Sequence, residues 1–512
     1  MIVMSTQLIG FSIGGIARRF LVDPPSMIWP ASLVNTALFN TLHQTQYAGI
    51  GDRGGMSRER FFFYAFLGSC PRVLLLVCWI APDNVPVNQM FGYFHGMGMS
   101  LITFDWSQIA YIGSPLATPW WAEMNVGAGF LFFFWFLTPI LHYTNTWYAE
   151  YMPISSRTSY DNTGGKYNVS RILNDDATLN MAAYKAYSPL FLSTTFALSY
   201  GLSFASITST LVHAFLYFRK QIWLQARRSL HEQPDIHARL MSRYPQVPEW
   251  WYVTIFLSMF ALFPWYAFIV SLIISFFYVI PIGMIQAITN QQVGLNVITE
   301  LVIGYWMPGR PVAMMMFKTW GYITMAQALT FTSDFKLGHY MKVAPRAMFF
   351  AQVVCTIIAG TVQLGVQAWM FTNIEGMCED EQKNGFICPN TQVFGTASII
   401  WGVIGPALQF SHGQIYYGLV FFFLAGALAP VITYYLTKLF PTARGTGFIP
   451  PASAVNYVPW TIVGFIFQYV IRRRHFAWWA KYNYVLSAAL DAGVAVAVII
   501  IFFCLQFPNN GN

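Results

Sequence analysis

Long apolar runs recur along this chain, over residues 61–81, 126–141, 190–217, 251–281, 348–371, 415–436, 455–470 and 484–507. Each approaches the roughly 20 residues that an α-helix needs to cross a bilayer core. Inside hydrocarbon every backbone N–H and C=O must be satisfied internally, so only helices and closed barrels span it. The runs are continuous, whereas a barrel strand alternates with a period of two. The fold class is therefore all-α: a polytopic integral membrane helical bundle, with the lipid bilayer as its solvent. Weaker segments between the runs raise the expectation to roughly eleven or twelve spanning or re-entrant elements. Composition agrees, since only 9% of the 512 residues are charged, against about a quarter in soluble domains.

The net charge of +8 does not point to nucleic acid, because the basic residues sit in short clusters beside apolar segments. That distribution is what the positive-inside rule expects of cytosolic loops. It assigns "RRRH" at 472–475 to the cytosol, together with "RKQIWLQARRSLHEQPDIHARLMSR" at 219–243, part of a cytosolic loop over 219–250. Two segments read as external. Residues 145–188 carry an Asn-Val-Ser sequon, which makes Asn168 the candidate glycosylation site. Residues 373–392 contain the acidic "NIEGMCEDEQKNGFIC", where a disulfide between Cys378 and Cys388 would close a short loop on the oxidising side. Cys70, Cys78, Cys355 and Cys504 lie in apolar runs and read as small buried hydrophobes. No secretory signal pattern is found, because the first basic pair, Arg18-Arg19, follows the opening apolar run. Polar loops of roughly 40 residues are too short to fold alone, so 1–512 reads as one transmembrane domain.

Proline and glycine interrupt several apolar stretches: "SMIWPASLV" at 26–34, "IGSPLATPWW" at 112–121, "YVIPIGMIQ" at 278–286, "WMPGRP" at 306–311 and "FIPPASAVNYVPW" at 448–460. Breaks free backbone polar groups, which are tolerated at membrane depth only beside protein or a wet cavity. Broken helices of this kind build substrate sites in secondary transporters, and packing kinks are the competing explanation.

Polar groups collect beside one such break, in "TNQQVGLNVITELVIGYWMPGRP" at 289–311. If 283–305 is one helix, Gln286, Asn290 and Glu300 share a stripe, with Gln291 adjoining it. Such groups must face the bundle interior or water. Arg310 and Lys318, just beyond the break, are candidate counter-charges for Glu300. A structural ion pair with amide glue is one reading. A polar pathway for a zwitterionic solute is favoured, because amides and break coincide. A second cluster, "TSDFKLGHYMKVAPR" at 332–346, holds Asp334, Lys336, His339, Lys342 and Arg346 and reads equally as an amphipathic cytosolic connector. Isolated intramembrane ionisables, His95, Asp105, Glu123 and Asp491, complete the substrate- and proton-pathway candidates.

Enzyme chemistry finds no support: HExxH, CxxC, P-loop and GxSxG patterns are missing from the sequence, and the histidines lack metal-ligand spacing. Neither a catalytic residue, a metal site nor a cofactor is expected.

The block at 289–346, running from "TNQQVGLNVITE" to "HYMKVAPR", resembles the central block of the oligopeptide transporter family. So do "SPLATPWW" (114–121), "FICPNTQVFGTASIIWGVIGP" (386–406), "GTGFIPPASAVNYVPW" (445–460) and "RRRHFAWWAKYNYVLSAALDAG" (472–493), with fungal members the most similar. The resemblance implies a proton-coupled, alternating-access importer of small peptides at the plasma membrane. Its cargo would be tetra- and pentapeptides, or glutathione. Two departures stand out. The family's Lys-Ile-Pro-Pro-Arg motif is here Lys342-Val343-Ala344-Pro345-Arg346, and its amino-terminal Asn-Pro-Gly-Pro-Phe-Asn motif is not found. Against a family pattern of roughly sixteen transmembrane helices, the chain is expected to match the later two-thirds. The rival readings are a metal-chelate carrier of the yellow-stripe-like branch and a truncated, non-transporting membrane protein.

Overall fold

The computed structural model describes residues 2–43, 56–67, 73–74, 84–92, 95–99, 102–176, 178–226, 236–260, 265–378, 388–439 and 453–501. Among these, seven helices are long and apolar enough to cross a membrane: Trp120–Tyr143, Thr194–Trp223, Phe268–Thr289, Pro345–Asn373, Tyr417–Lys438, Ala454–Arg474 and Phe476–Ile500. The number is below the expected eleven or twelve because other apolar sequence comes in shorter or more polar pieces. These include Ile2–Leu21, Pro30–His43, Arg58–Leu67, Glu249–Phe260 and Asn296–Trp306. Among the described residues, strand is confined to two short antiparallel pairings, Val73–Leu74 with Ile102–Thr103 and Ser159–Tyr160 with Phe191–Leu192. The chain is a multi-pass, all-helical membrane protein.

Lipid tails are as apolar as leucine, so helices associate in a membrane mainly through close packing. The Ile2–Leu21 helix shows how: it lies against Thr324–Met341 through Gly10 and Gly14. A Cβ at Gly10 would stand 2.7 Å from the Gln327 Cβ, and one at Gly14 would stand 2.7 Å from the Ala328 carbonyl oxygen. The end of the first helix is closed by side chains that reach its last carbonyls. Trp29 Nε1 donates to Leu21 O at 2.8 Å and Lys336 Nζ donates to Val22 O at 2.7 Å. A cation at a helix C-terminus is favoured by the helix dipole. The 332–346 cluster is two-sided, with part of it packed inward and Arg346 exposed. Lys336 and His339 are buried, and Asp334 accepts a hydrogen bond from Gln352 at 3.2 Å.

One expected break and one expected continuous helix differ from the sequence reading. Pro281 stays inside an unbroken Trp265–Thr289 helix. The chain leaves the helix instead at Asn290, whose φ of 61° is left-handed, a conformation that asparagine tolerates better than most residues. Helix resumes at Asn296, so 283–305 is not continuous. Among the described residues, five π-helical segments adjoin α-helices, at Leu131–Leu137, Ala214–Phe218, Thr319–Ile323, Ser398–Ile404 and Phe465–Ile471. A π-turn carries an inserted residue and is common at functional sites.

The polar segment from 145 to 193 is folded around Asp161. Its carboxylate accepts from the Thr163 hydroxyl at 2.6 Å, the Thr163 and Gly165 amides and the Tyr187 hydroxyl. The segment is tied down where Leu192 N donates to the buried Tyr416 hydroxyl at 2.7 Å. Asn168 is exposed on a short turn, its side chain accepting from Ser170 N at 3.2 Å. Cys378 and Cys388 are disulfide-bonded. Cys355 is exposed, not buried, whereas Cys70, Cys78 and Cys504 lie outside the described residues. Within 219–250, helix continues to Ala226 and returns at Ile236–Met241.

Candidate functional site

The break at 290–295 opens onto a cavity of about 550 Å³. One wall is the Pro30–His43 helix, through Ala31, Val34 and Asn35, and another is the 111–117 turn. The last turn of Trp265–Thr289 and the residues after it supply Gln286, Asn290, Gln291 and Gln292, and Asp491 comes from the helix Phe476–Ile501. Losing helical hydrogen bonds at the break frees backbone and side-chain groups to line space, which explains why the amides face inward.

Several of these amides are held in place. Asn290 Nδ2 donates to Thr118 Oγ1 at 3.2 Å, and Gln291 Nε2 reaches Ile112 O at 3.5 Å. The turn they grip is held from behind by Trp460 Nε1, which donates to Gly113 O at 2.9 Å, and by Ser114, whose hydroxyl meets that of Ser487 at 2.6 Å. Asp491 accepts from Trp106 Nε1 at 2.5 Å. Two cavity-lining groups are spare: Gln286 Oε1 and Gln292 Nε2 are buried and find no hydrogen-bond partner among the described residues. Together they present one acceptor and one donor, beside a single carboxylate.

The other candidates lie apart from this cavity. Glu300 pairs with Lys318 at 2.6 Å, both nearly inaccessible, with side-chain exposures of 2% and 7%. The Lys318 ammonium also stands 4.5 Å over the Phe394 ring. The pair joins the half-helix Asn296–Trp306 to Pro311–Lys318 across the Pro-Gly break. Arg310 does not serve Glu300: it is exposed at the start of the next helix. It lies near Asp176, whose carboxyl is held below its ordinary range, first by the Thr178 hydroxyl and least by Arg310's charge. His95 and Asp105 each have a local hydrogen-bond partner. His95 is exposed with Nδ1 3.2 Å from Ser155 O, and Asp105 caps the short Trp106–Ile109 helix by accepting from Ser107 N. Glu123 is fully buried between two helices. Sequence reasoning passed over Asn35 and Tyr111. The available signal for Asn35 was an amide in an apolar run, a little over one helical turn after Pro30; an exposed tyrosine such as Tyr111 gives none.

The family model for "OPT oligopeptide transporter protein" matches residues 1–505. Glutathione transporter 1 of Schizosaccharomyces pombe is 44% identical over 99% of this chain and 65% of its own length. Sexual differentiation process protein isp4 of the same yeast is 46% identical over 99% of this chain and 69% of its own. Oligopeptide transporter 1 of Saccharomyces cerevisiae is 40% identical over 99% and 68%. The chain thus spans about two thirds of the length of these relatives. No solved structure matches it. On the whole-chain match and these identities, the chain belongs to the oligopeptide transporter family.

Proposed function

We propose that this chain serves the proton-coupled import of small peptides by alternating access, as one transmembrane unit of the plasma membrane. Tetra- and pentapeptides or glutathione are the expected cargo. The observation that carries the reading is the cavity, which sets amides from two segments, Asn35 and 286–292, around one carboxylate at a helix break. Its volume of about 550 Å³ lies within the roughly 300–1,000 Å³ of small-molecule sites. Asp491 takes the peptide's ammonium. The spare Gln286 oxygen accepts from a backbone N–H, and the spare Gln292 nitrogen donates to a backbone C=O. The names of the relatives, a glutathione transporter and an oligopeptide transporter, agree with a peptide cargo. In this reading 219–250 faces the cytosol, and 373–392 and the Asn168 turn face outward.

Binding of tetra-alanine and of N-acetyl tetra-alanine to the reconstituted chain tests the assignment. A hydrogen bond to a charged group contributes about 1.5–3 kcal/mol, so acetylation should weaken binding by roughly 10- to 150-fold. Asp491→Asn should weaken the free peptide and erase that discrimination. Equal binding of both peptides to the unaltered chain, or binding of neither, would overturn the reading.

A further inference from the structure

One buried titratable group has no use in the peptide site. Glu123 is 0% exposed, and neither of its carboxyl oxygens finds a hydrogen-bond partner among the described residues. It lies in the Trp120–Phe130 helix, against Gly464 of the Ala454–Gly464 helix. A Cβ at Gly464 would stand 1.9 Å from Glu123 Oε2, so the slot for the carboxyl exists because position 464 has no side chain.

We propose that Glu123 is the carboxyl that carries the co-transported proton, an assignment that rests on the proton-coupled reading above. The elements packed against its helix are known from their contacts. From Ala454–Gly464, Tyr457 stacks on Phe130, Thr461 meets Gly127 and Gly464 meets Glu123 itself. From Phe465–Ile471, Phe465 and Tyr469 lie on Trp120, and Gln468 donates to Leu116 O. The titratable members are the two tyrosines. Arg473 holds its guanidinium 4.0 Å over the Tyr469 ring. An ionised carboxylate sealed among such groups is strongly disfavoured, so the packed arrangement holds the neutral acid. Binding joins one proton to the carboxylate and release reverses that step; no electron moves.

Exchange requires the two helices to part, and one of them is irregular at the contact: Phe465–Ile471 turns π-helical directly after Gly464, while Leu131–Leu137 makes the other helix irregular about two turns beyond Glu123. Shifting a one-residue insertion along a helix turns the adjoining stretch by about 100°, enough to swing Glu123 off Gly464. The same helix pair grips the peptide cavity. Thr118, which accepts from Asn290, and Gly113, which accepts from Trp460, belong to the turn that leads into Trp120. A peptide that moves this turn moves the Glu123 contact, and protonation acts back on the cavity by the same route.

The full chain in sealed vesicles tests this with tetra-alanine as the probe. At one proton per peptide, a pH difference of one unit supports about tenfold accumulation. Glu123→Gln keeps size and removes the titratable proton, so it should abolish accumulation while leaving exchange at equal pH within about twofold of the unaltered chain. The infrared band of a protonated carboxyl should be present in the unaltered chain and missing from this variant. Gly464→Ala, which displaces the carboxyl without changing its chemistry, should also lose accumulation and shift that band. Accumulation retained in Glu123→Gln, or a carboxyl band identical in all three chains, refutes the assignment. If the unaltered chain fails to accumulate under a pH difference, proton coupling falls. The infrared band then decides separately whether Glu123 holds a proton. Should Glu123→Gln fail to fold, Gly464→Ala with an unchanged band and normal accumulation is equally fatal.

Discussion

Replacing Glu300 by glutamine leaves the Lys318 ammonium buried with no counter-charge. The two charges stand 2.6 Å apart at 2% and 7% exposure, so their attraction is screened by little solvent. With an effective dielectric near 20, that separation corresponds to about 6 kcal/mol of Coulomb energy, part of which only offsets desolvation. Breaking such a pair costs about 3–5 kcal/mol, whereas removing both charges is often close to neutral. Glu300→Gln and Lys318→Met should therefore each destabilise the chain by about 3–5 kcal/mol, and the double variant should recover most of that loss. Detergent-driven unfolding followed by tryptophan fluorescence, run on the four chains of the cycle, measures the coupling directly. Arg310→Gln serves as the control: Arg310 is exposed beyond the break, so it should not rescue Glu300→Gln. Additive costs in the Glu300/Lys318 cycle, or single losses below about 1 kcal/mol, would refute the reasoning.

Two further outcomes follow from the polar segments. Hydrogen bonds, first from the Thr163 hydroxyl, hold the Asp161 carboxyl below its ordinary range. The stability they contribute is present above an ordinary carboxylate pKa of about 4 and is lost as pH falls through the lower folded value. Hydrogen exchange around 156–170 should therefore accelerate in acid, and Asp161→Asn should remove that acid dependence. In intact cells, a membrane-impermeant thiol reagent should label Cys378 and Cys388 only after reduction, and a protease site placed in 227–235 should be cut only from inside. Labelling without reduction, or cleavage from outside, contradicts the assigned topology.

The class of the fold was legible because it depends on the solvent. A chain with this much continuous apolar sequence has nowhere to put it except lipid, and lipid permits helices. Individual charges were much less legible. His95 and Asp105 look isolated when the sequence is read along the chain. Asp105 is in fact an N-cap, a role set by the next two residues. Lys336 looked solvated because Asp334, His339 and Lys342 surround it in sequence. Its ammonium is buried because Val22 O, more than 300 positions earlier, offers an acceptor at 2.7 Å. Such long-range partners leave no local trace.

The Gln286–Glu300 stripe shows where periodicity misleads. Spacing places these residues on one face only if the helix between them is unbroken, and Asn290 breaks it. The consequence is a division of labour rather than a loss of it. Up to and within the break, Gln286, Asn290 and Gln291 line the cavity, where the proposed peptide would exchange hydrogen bonds with amides at little electrostatic cost. After it, Glu300 turns into protein and finds Lys318, so its charge is spent on holding the half-helix in place. A continuous helix would have put a carboxylate and the amides at one site, where an ion pair and a peptide compete for the same groups. Breaking the helix lets the scaffold be rigid at Glu300 while the groups at 286–292 keep an unfilled donor and acceptor. Rigid support beside unsatisfied polar groups is what a site needs to bind a solute that is itself mostly backbone amide.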